Sequence, residues 1–271
     1  MASTPINHLF LHLGLEMATE EAVHDSAVPI DKKQKKWFPL ESNPVLLNGY
    51  IEKLGFDTSK YSFHDVFSTE EWATDMIPSP VAAVIMLYPI TGAQEDHRDK
   101  ERVEVIPKQS VSSEVWHMTQ RIGNACGTIG ILHALRNAPS DVQSGCIKDG
   151  SWLRRYYSRC PSTFSADDKA DALDSDDEIE DMHDKATADD TNATGRGGIE
   201  DRVDTHFVAI VHVDGGLYEL DGRKGAPIRH GDTSSERFLR DACGVVQTFM
   251  NRDPGEMRFT ILALAPTQKD D

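Results

Sequence analysis

The stretch from His206 to Asp221 constrains the fold more than any other part of this chain. His206-Phe207-Val208-Ala209-Ile210-Val211-His212-Val213 is apolar on both faces, as a strand buried inside a sheet must be. Asp214-Gly215-Gly216 supplies a hairpin turn, and Leu217-Tyr218-Glu219-Leu220 returns as the antiparallel partner. A two-residue turn pairs either Val213 with Gly216 or Asp214 with Leu217, so Asp221 faces Val208 in the first register and Ile210 in the second. Side chains alternate along a strand with period two, which puts His206 and Asp221 on one face in either case. An aspartate so placed can orient an imidazole and fix its tautomer. His206 taken alone is also an ordinary strand-edge histidine, and His212, nearer the turn, reads as core.

The rest of the chain supplies partners for that hairpin. Val81 to Tyr88 is apolar on both faces and reads as a central strand, and Arg258 to Ala265 as a closing one. The folded part is expected to start at Trp37-Phe38-Pro39-Leu40. Asn43-Pro44 then opens a helix that runs to Leu54 and Gly55, and Ser68 with Glu70 and Glu71 resembles another helix start. Ile129, Leu132 and Leu135 recur at helical spacing, with Ala125, Ile131 and Ala134 widening the stripe, so a deeply buried helix is expected from Thr128 to Arg136. Pro139 ends it. Further helices are expected over Ser151–Ser158, from Ser165 with Asp168 at the capping-box position, and over Ser235–Phe249. Asp96 to Lys108 reads as a charged loop.

Residues 174–202 are acidic, then rich in Thr, Asn and Gly, with almost no bulky apolar side chain, so a functional or disordered loop is expected there. Residues 1–35 read as a flexible N-terminal extension, with a short amphipathic helix over Ile6–Met17. They lead into the basic run Asp31–Lys36, which fits a solvated linker and also a nuclear address. The folded domain is expected over 36–268, with 269–271 as a tail.

Charge and cysteine usage exclude several classes. The 271 residues carry a net −17, which argues against a nucleic-acid partner, since phosphates would be repelled. Twelve acids against Lys169 and Lys185 over residues 167–190 account for −10, leaving −7 for the remainder. The longest apolar run, Val81 to Ile90, is about half of what a bilayer-spanning helix needs. With no secretory leader pattern either, a membrane partner is not expected. Cys126, Cys146, Cys160 and Cys243 are too widely spaced for a zinc site or a disulfide framework, so no metal or cofactor is expected and a reduced, cytoplasmic protein is.

One of these cysteines sits where chemistry could occur. In Asn124-Ala125-Cys126-Gly127-Thr128 the chain turns into the hydrophobic helix, and a thiol at a helix N-terminus is drawn toward the thiolate by the dipole and the unpaired amides. A cysteine in an apolar helix, taken alone, is more often a small core residue. Gln120, six residues earlier, is close enough to lend an amide to an oxyanion beside the Cys126 N–H. Cys, His and Asp in that order, with a Gln just upstream, point to acyl transfer through a thioester.

These segments carry a family resemblance. Gln120-Arg-Ile-Gly-Asn-Ala-Cys126-Gly-Thr-Ile-Gly, the strand from His206 to Gly215 and Leu217-Tyr-Glu-Leu-Asp221-Gly-Arg-Lys resemble the ubiquitin carboxyl-terminal hydrolase family of cysteine proteases, most of all its short single-domain members. Trp37-Phe-Pro-Leu-Glu-Ser-Asn-Pro44, Asn251-Arg-Asp-Pro254 and Arg258-Phe259 extend the match over roughly residues 36–266. The resemblance implies an α/β (α+β) fold: a central antiparallel sheet flanked by helices, with a knotted backbone and papain-like site geometry. It implies hydrolysis at the C-terminal glycine of ubiquitin, releasing small adducts or short extensions. Cys126 matches the nucleophile, His206 the general base and acid, Asp221 the orienting acid and Gln120 the oxyanion donor. It also implies ubiquitin contacts along Pro39, Leu40, Glu41, Ser42, Asn43 and Pro44 and along Glu256, Met257, Arg258, Phe259, Thr260 and Ile261, with a crossover loop before His206 that limits the leaving group. Ubiquitin or a ubiquitin-like modifier is the partner so implied, and a monomer is expected. A ubiquitin-binding module with little turnover is the alternative.

Overall fold

The computed structural model describes residues 35–189, 198–201 and 203–268. The N-terminal helix over Ile6–Met17, nearly all of the extension over 1–35 and the tail 269–271 lie outside the described residues.

Six strands form one sheet, every neighbouring pair antiparallel. They are β1 (Tyr61–Asp65), β2 (Ala83–Pro89), β3 (Thr205–Val213), β4 (Gly216–Leu220), β5 (Ile228–Asp232) and β6 (Thr260–Pro266), in the spatial order β1-β6-β2-β3-β4-β5. The two strands with no polar face, β2 and β3, pair with each other at the centre. Their alternate side chains feed two cores: Ile85, Phe207, Ala209 and Val211 on one face, Val84, Met86, Val208 and Ile210 on the other.

The hairpin takes the first register, with Val213 opposite Gly216 and Ala209 opposite Leu220. Asp214 and Gly215 both hold positive φ, 48° and 74°, as a turn matched to the right-handed strand twist requires.

Helices cover both faces. On the first core lie α1 (Pro44–Leu54), α4 (Cys126–Arg136), α5 (Ser140–Cys146), α6 (Trp152–Arg159), α7 (Ala166–Asp174) and α8 (Asp177–Thr187). α9 (Phe238–Arg252) covers the other, with the one-turn α2 (Glu71–Thr74) against it. α1 starts and stops where its sequence says: the Asn43 side chain accepts from Val45 and Leu46 N–H, and Gly55 closes the helix at φ 102°. The Ser165–Asp168 capping box of α7 is present in both directions. α4 buries every residue except Arg136, and Gly127 lets it approach the N-terminal segment: a Cβ there would lie 3.0 Å from Leu40 Cβ.

One expected loop is helical, and so is the first half of another. Asp96–Lys108 belongs to α3 (Gly92–Lys100), a single π-helical turn over Glu101–Val105 and a 3-10 turn over Ile106–Lys108. Its inward residues are Gln94 and Glu101, so no apolar period marks it. Gln94 Nε2 donates to Phe249 O at 2.8 Å, and Glu101 accepts from the buried Lys224 Nζ at 2.5 Å.

The acidic segment expected as a loop over 174–202 is in its first half α8, capped by Asp176, with Ile179, His183, Ala186 and Thr187 buried and the carboxylates turned outward; 190–197 and 202 lie outside the described residues. Four inward positions, only two of them apolar, suffice because α1 and α4 already supply the apolar wall. Ile179→Ala should therefore cost about 2–5 kcal/mol, read from urea unfolding. A change below about 0.5 kcal/mol, the size of a surface effect, would show that α8 does not pack.

Candidate active site

The nucleophile candidate is presented by a sharp bend. Asn124 takes a left-handed conformation, φ 60°, which asparagine tolerates better than most side chains, and its Nδ2 donates to Trp37 O at 3.1 Å. Two residues later Cys126 opens α4, so its own N–H has no intrahelical acceptor.

The thiol is 6% exposed and lies near enough to His206 for the imidazole to act on its ionisation. Burial alone would push its pKa up. His206 and the N–H groups of Phe207 and Gly127 outweigh this and bring it below the ordinary thiol value.

His206 stands near the start of β3 and is 2% exposed. Its Nε2 donates to Asp221 Oδ1 at 2.6 Å, which leaves Nδ1 for the thiol. Burial lowers the imidazole pKa, but the Asp221 carboxylate, then its hydrogen bond, then Cys126 raise it to about 9. Asp221, fully buried, would be raised by desolvation, and the facing His206 instead holds it well below the usual carboxylate range. Both shifts run toward the charged partners, a thiolate and an imidazolium braced by a carboxylate.

Asp221 is fixed at several points. Its Oδ1 also accepts from Arg223 N–H at 2.8 Å, and its carbonyl accepts from His117 Nε2 at 3.1 Å and Lys224 N–H at 3.0 Å. Tyr88, opposite His206 in the β2–β3 register, meets the imidazole edge-on at 5.7 Å.

Gln120 is brought to the same place by backbone. Its N–H donates to Gly222 O at 2.7 Å, an approach only glycine permits: a Cβ at 222 would lie 2.9 Å from Gln120 Cβ and 3.0 Å from Ile129 Cγ2. The Gln120 amide donates to Ile122 O at 3.1 Å, while its Oε1 is buried without a hydrogen-bond partner. His206 thus bonds Asp221 and acts on Cys126, while the Gln120 backbone is tied to Gly222, next to Asp221.

Gly222, Asn124 and His117 were not singled out from sequence. The Asp-Gly pair was the available signal for Gly222, but its need for close approach lies in a contact spanning about a hundred residues. Among the described residues no group of three or more His, Cys, Asp or Glu side chains is placed to hold a metal ion.

The two segments expected to meet a partner lie side by side, Thr260 Oγ1 donating to Ser42 Oγ at 2.5 Å. Glu41, Ser42, Asn43 and Pro44 line an open groove of about 610 Å³ along with Phe67 and Met76. Pro39, Phe259 and Thr260 are partly exposed, and Met257 is 84% exposed. Arg258 is tied to Asp204 at 2.5 Å and to Glu256 at 2.7 Å.

Two expected contacts are corrected. Leu40 fills the space left by Gly127, and Ile261 points into the α9-side core from β6. Each is 5% exposed and offers no side chain to a docked partner.

Comparison with known proteins gives a consistent assignment. Residues 37–251 match the family model described as ubiquitin carboxyl-terminal hydrolase, family 1. Ubiquitin carboxyl-terminal hydrolase 3 of Arabidopsis thaliana is 40% identical over 233 residues, covering 85% of this chain and 94% of the relative. Ubiquitin carboxyl-terminal hydrolase isozyme L1 of Homo sapiens is 36% identical over 226 residues, covering 83% and 96%. The catalytic domain of Trichinella spiralis UCH37 bound to ubiquitin vinyl methyl ester superposes with a TM-score of 0.66 at 20% identity, covering 86% of this chain and 96% of that one, a likeness of fold.

Proposed function

The chain belongs to the ubiquitin carboxyl-terminal hydrolases, and from that premise we propose that it is a cysteine-type hydrolase releasing small adducts or short extensions from the C-terminal glycine of ubiquitin. The observation that carries this is the Cys126–His206–Asp221 line, with the thiol at the N-terminus of α4 and the imidazole pKa raised to about 9.

The Cys126 thiolate attacks the carbonyl carbon of the glycine. The oxyanion is held by the Cys126 N–H and the Gln120 amide. Imidazolium His206 gives its proton to the departing amine, and the C–N bond breaks to leave a thioester. Neutral His206 then takes a proton from water, the hydroxide adds to the thioester carbon, and Cys126 leaves as thiolate. Asp221 keeps the ring oriented and its charge matched throughout. Glu41, Ser42, Asn43 and Pro44, with Met257, Arg258, Phe259 and Thr260, form the surface on which ubiquitin would seat.

Incubating the full chain with ubiquitin carrying a C-terminal amide fluorophore, before and after alkylation with iodoacetamide, tests the proposal. Rapid release that alkylation removes supports it. A folded chain that binds ubiquitin but releases nothing would sink it in favour of a binding module.

Gln120→Ala should lower kcat by about 100-fold with little change in KM, since an oxyanion donor acts in the transition state. A loss confined to KM would remove Gln120 from this role.

A further inference from the structure

His183 lies outside the catalytic line and outside every motif above, yet it touches both halves of the proposed machinery. Its ring projects from α8 and is 1% exposed. Nε2 is 2.7 Å from Phe38 O, and Nδ1 is 2.8 Å from Thr128 Oγ1. A carbonyl can only accept, so Nε2 carries the proton. In the neutral ring Nδ1 is then an acceptor, and the Thr128 hydroxyl donates to it. The Tyr50 hydroxyl, 3.1 Å from the same Thr128 oxygen, completes the chain as donor, and burial keeps it protonated by raising its pKa. Trp37 packs on the imidazole with ring centroids 4.4 Å apart, and Tyr50 meets it edge-on at 6.0 Å.

Both ends of this chain are placed to matter. Thr128 is in the first turn of α4, two residues after Cys126. Phe38 directly precedes the segment Pro39–Pro44. That segment's root is fastened to the bend before the nucleophile: Trp37 N–H donates to Gly123 O at 2.9 Å, and Gly123 N–H donates to Lys35 O at 2.8 Å. One side chain therefore joins three pieces distant in sequence, the substrate segment, the nucleophile helix and α8.

Resting on the function proposed above, we propose that His183 is a two-armed positioning residue. Its Thr128 arm sets the first turn of the nucleophile helix, and its Phe38 arm sets the segment on which ubiquitin seats. The alternative is a packing role, which would lower stability and leave the folded enzyme's kinetics alone.

The two arms can be separated by substitution. An asparagine amide reaches about as far as Nδ1 and a glutamine amide about as far as Nε2, so His183→Asn keeps the Thr128 arm and His183→Gln keeps the Phe38 arm. For the full chain, measured well below each variant's Tm, His183→Gln should lower kcat and the alkylation rate of Cys126 about tenfold with KM near wild type, because small misplacements of a reacting group are costly. His183→Asn should raise KM by about fivefold with kcat retained, since only uniform binding is lost. Thr128→Val should match His183→Gln, and the two combined should be no worse than either.

Wild-type kinetics in both variants with a lowered Tm, or equal losses in kcat and KM for both, would overturn the proposal. Should the wild type release no fluorophore, it is the hydrolase reading that fails. The Cys126 alkylation rate and ubiquitin affinity by calorimetry would still read the two arms separately.

Discussion

Cys126→Ala is expected to lower fluorophore release from ubiquitin by about 10⁴-fold or more, the scale on which removing the nucleophile of a catalytic group acting as a unit is felt. The other thiols cannot take over. Cys146, Cys160 and Cys243 are buried, and burial raises each of their pKa values, that of Cys243 to about 11. Among the described residues no histidine lowers the pKa of these three, whereas Cys126 is lowered by one. The substitution removes a single sulfur from a snug site and leaves both substrate segments untouched, so ubiquitin affinity by calorimetry should stay within about threefold, as for a contact outside any binding hot spot. Residual turnover of even a few per cent in the variant would place the nucleophile elsewhere.

Asp221→Asn should cost about 10³- to 10⁴-fold in kcat, because an amide keeps the shape but removes the charge that holds the imidazole in its working state. The pH profile separates this from general damage. In the wild type, activity on the alkaline side falls as His206 loses its proton, near the value of about 9 to which Asp221 raises it. Without the carboxylate the lowering effect of burial is no longer opposed by its main counterweight, so the imidazolium is lost at lower pH. The alkaline limb of kcat/KM must therefore move down, toward neutrality. A limb that stays near pH 9 in the variant would show that another group supports His206.

The proposed catalytic line was legible because it is written in local rules. Strand alternation plus a two-residue turn puts His206 and Asp221 on one face whichever register forms, and the chain takes the register that sets Asp221 against Val208. Caps were legible for the same reason, as at Asn43 and Ser165. What escaped is whatever depends on distant partners. α3 and the turn after it bury Gln94 and Glu101, so their inward face looks solvated in sequence. α8 turns Ile179, His183, Ala186 and Thr187 inward, too few apolar side chains for a visible period among so many carboxylates. β1 and β5 are five-residue edge strands, the latter mostly polar outside Ile228. Leu40 and Ile261 were assigned to a surface by resemblance, but space left by Gly127 and the alternation of β6 turn them inward.

The order of strands in space has a consequence for how the protein comes into being. β6 is the last strand along the described chain, yet it lies between β1 and β2 and pairs with both. During synthesis from the N-terminus, every side chain of the proposed catalytic line has left the ribosome before the strand that joins β1 to the sheet. Until then β2 presents a long apolar edge open to pairing with other chains, and β1 has no neighbour in the sheet. A nascent chain therefore passes through an interval in which its chemistry is fully encoded and its scaffold is open, and a strand with no catalytic residue of its own ends that interval.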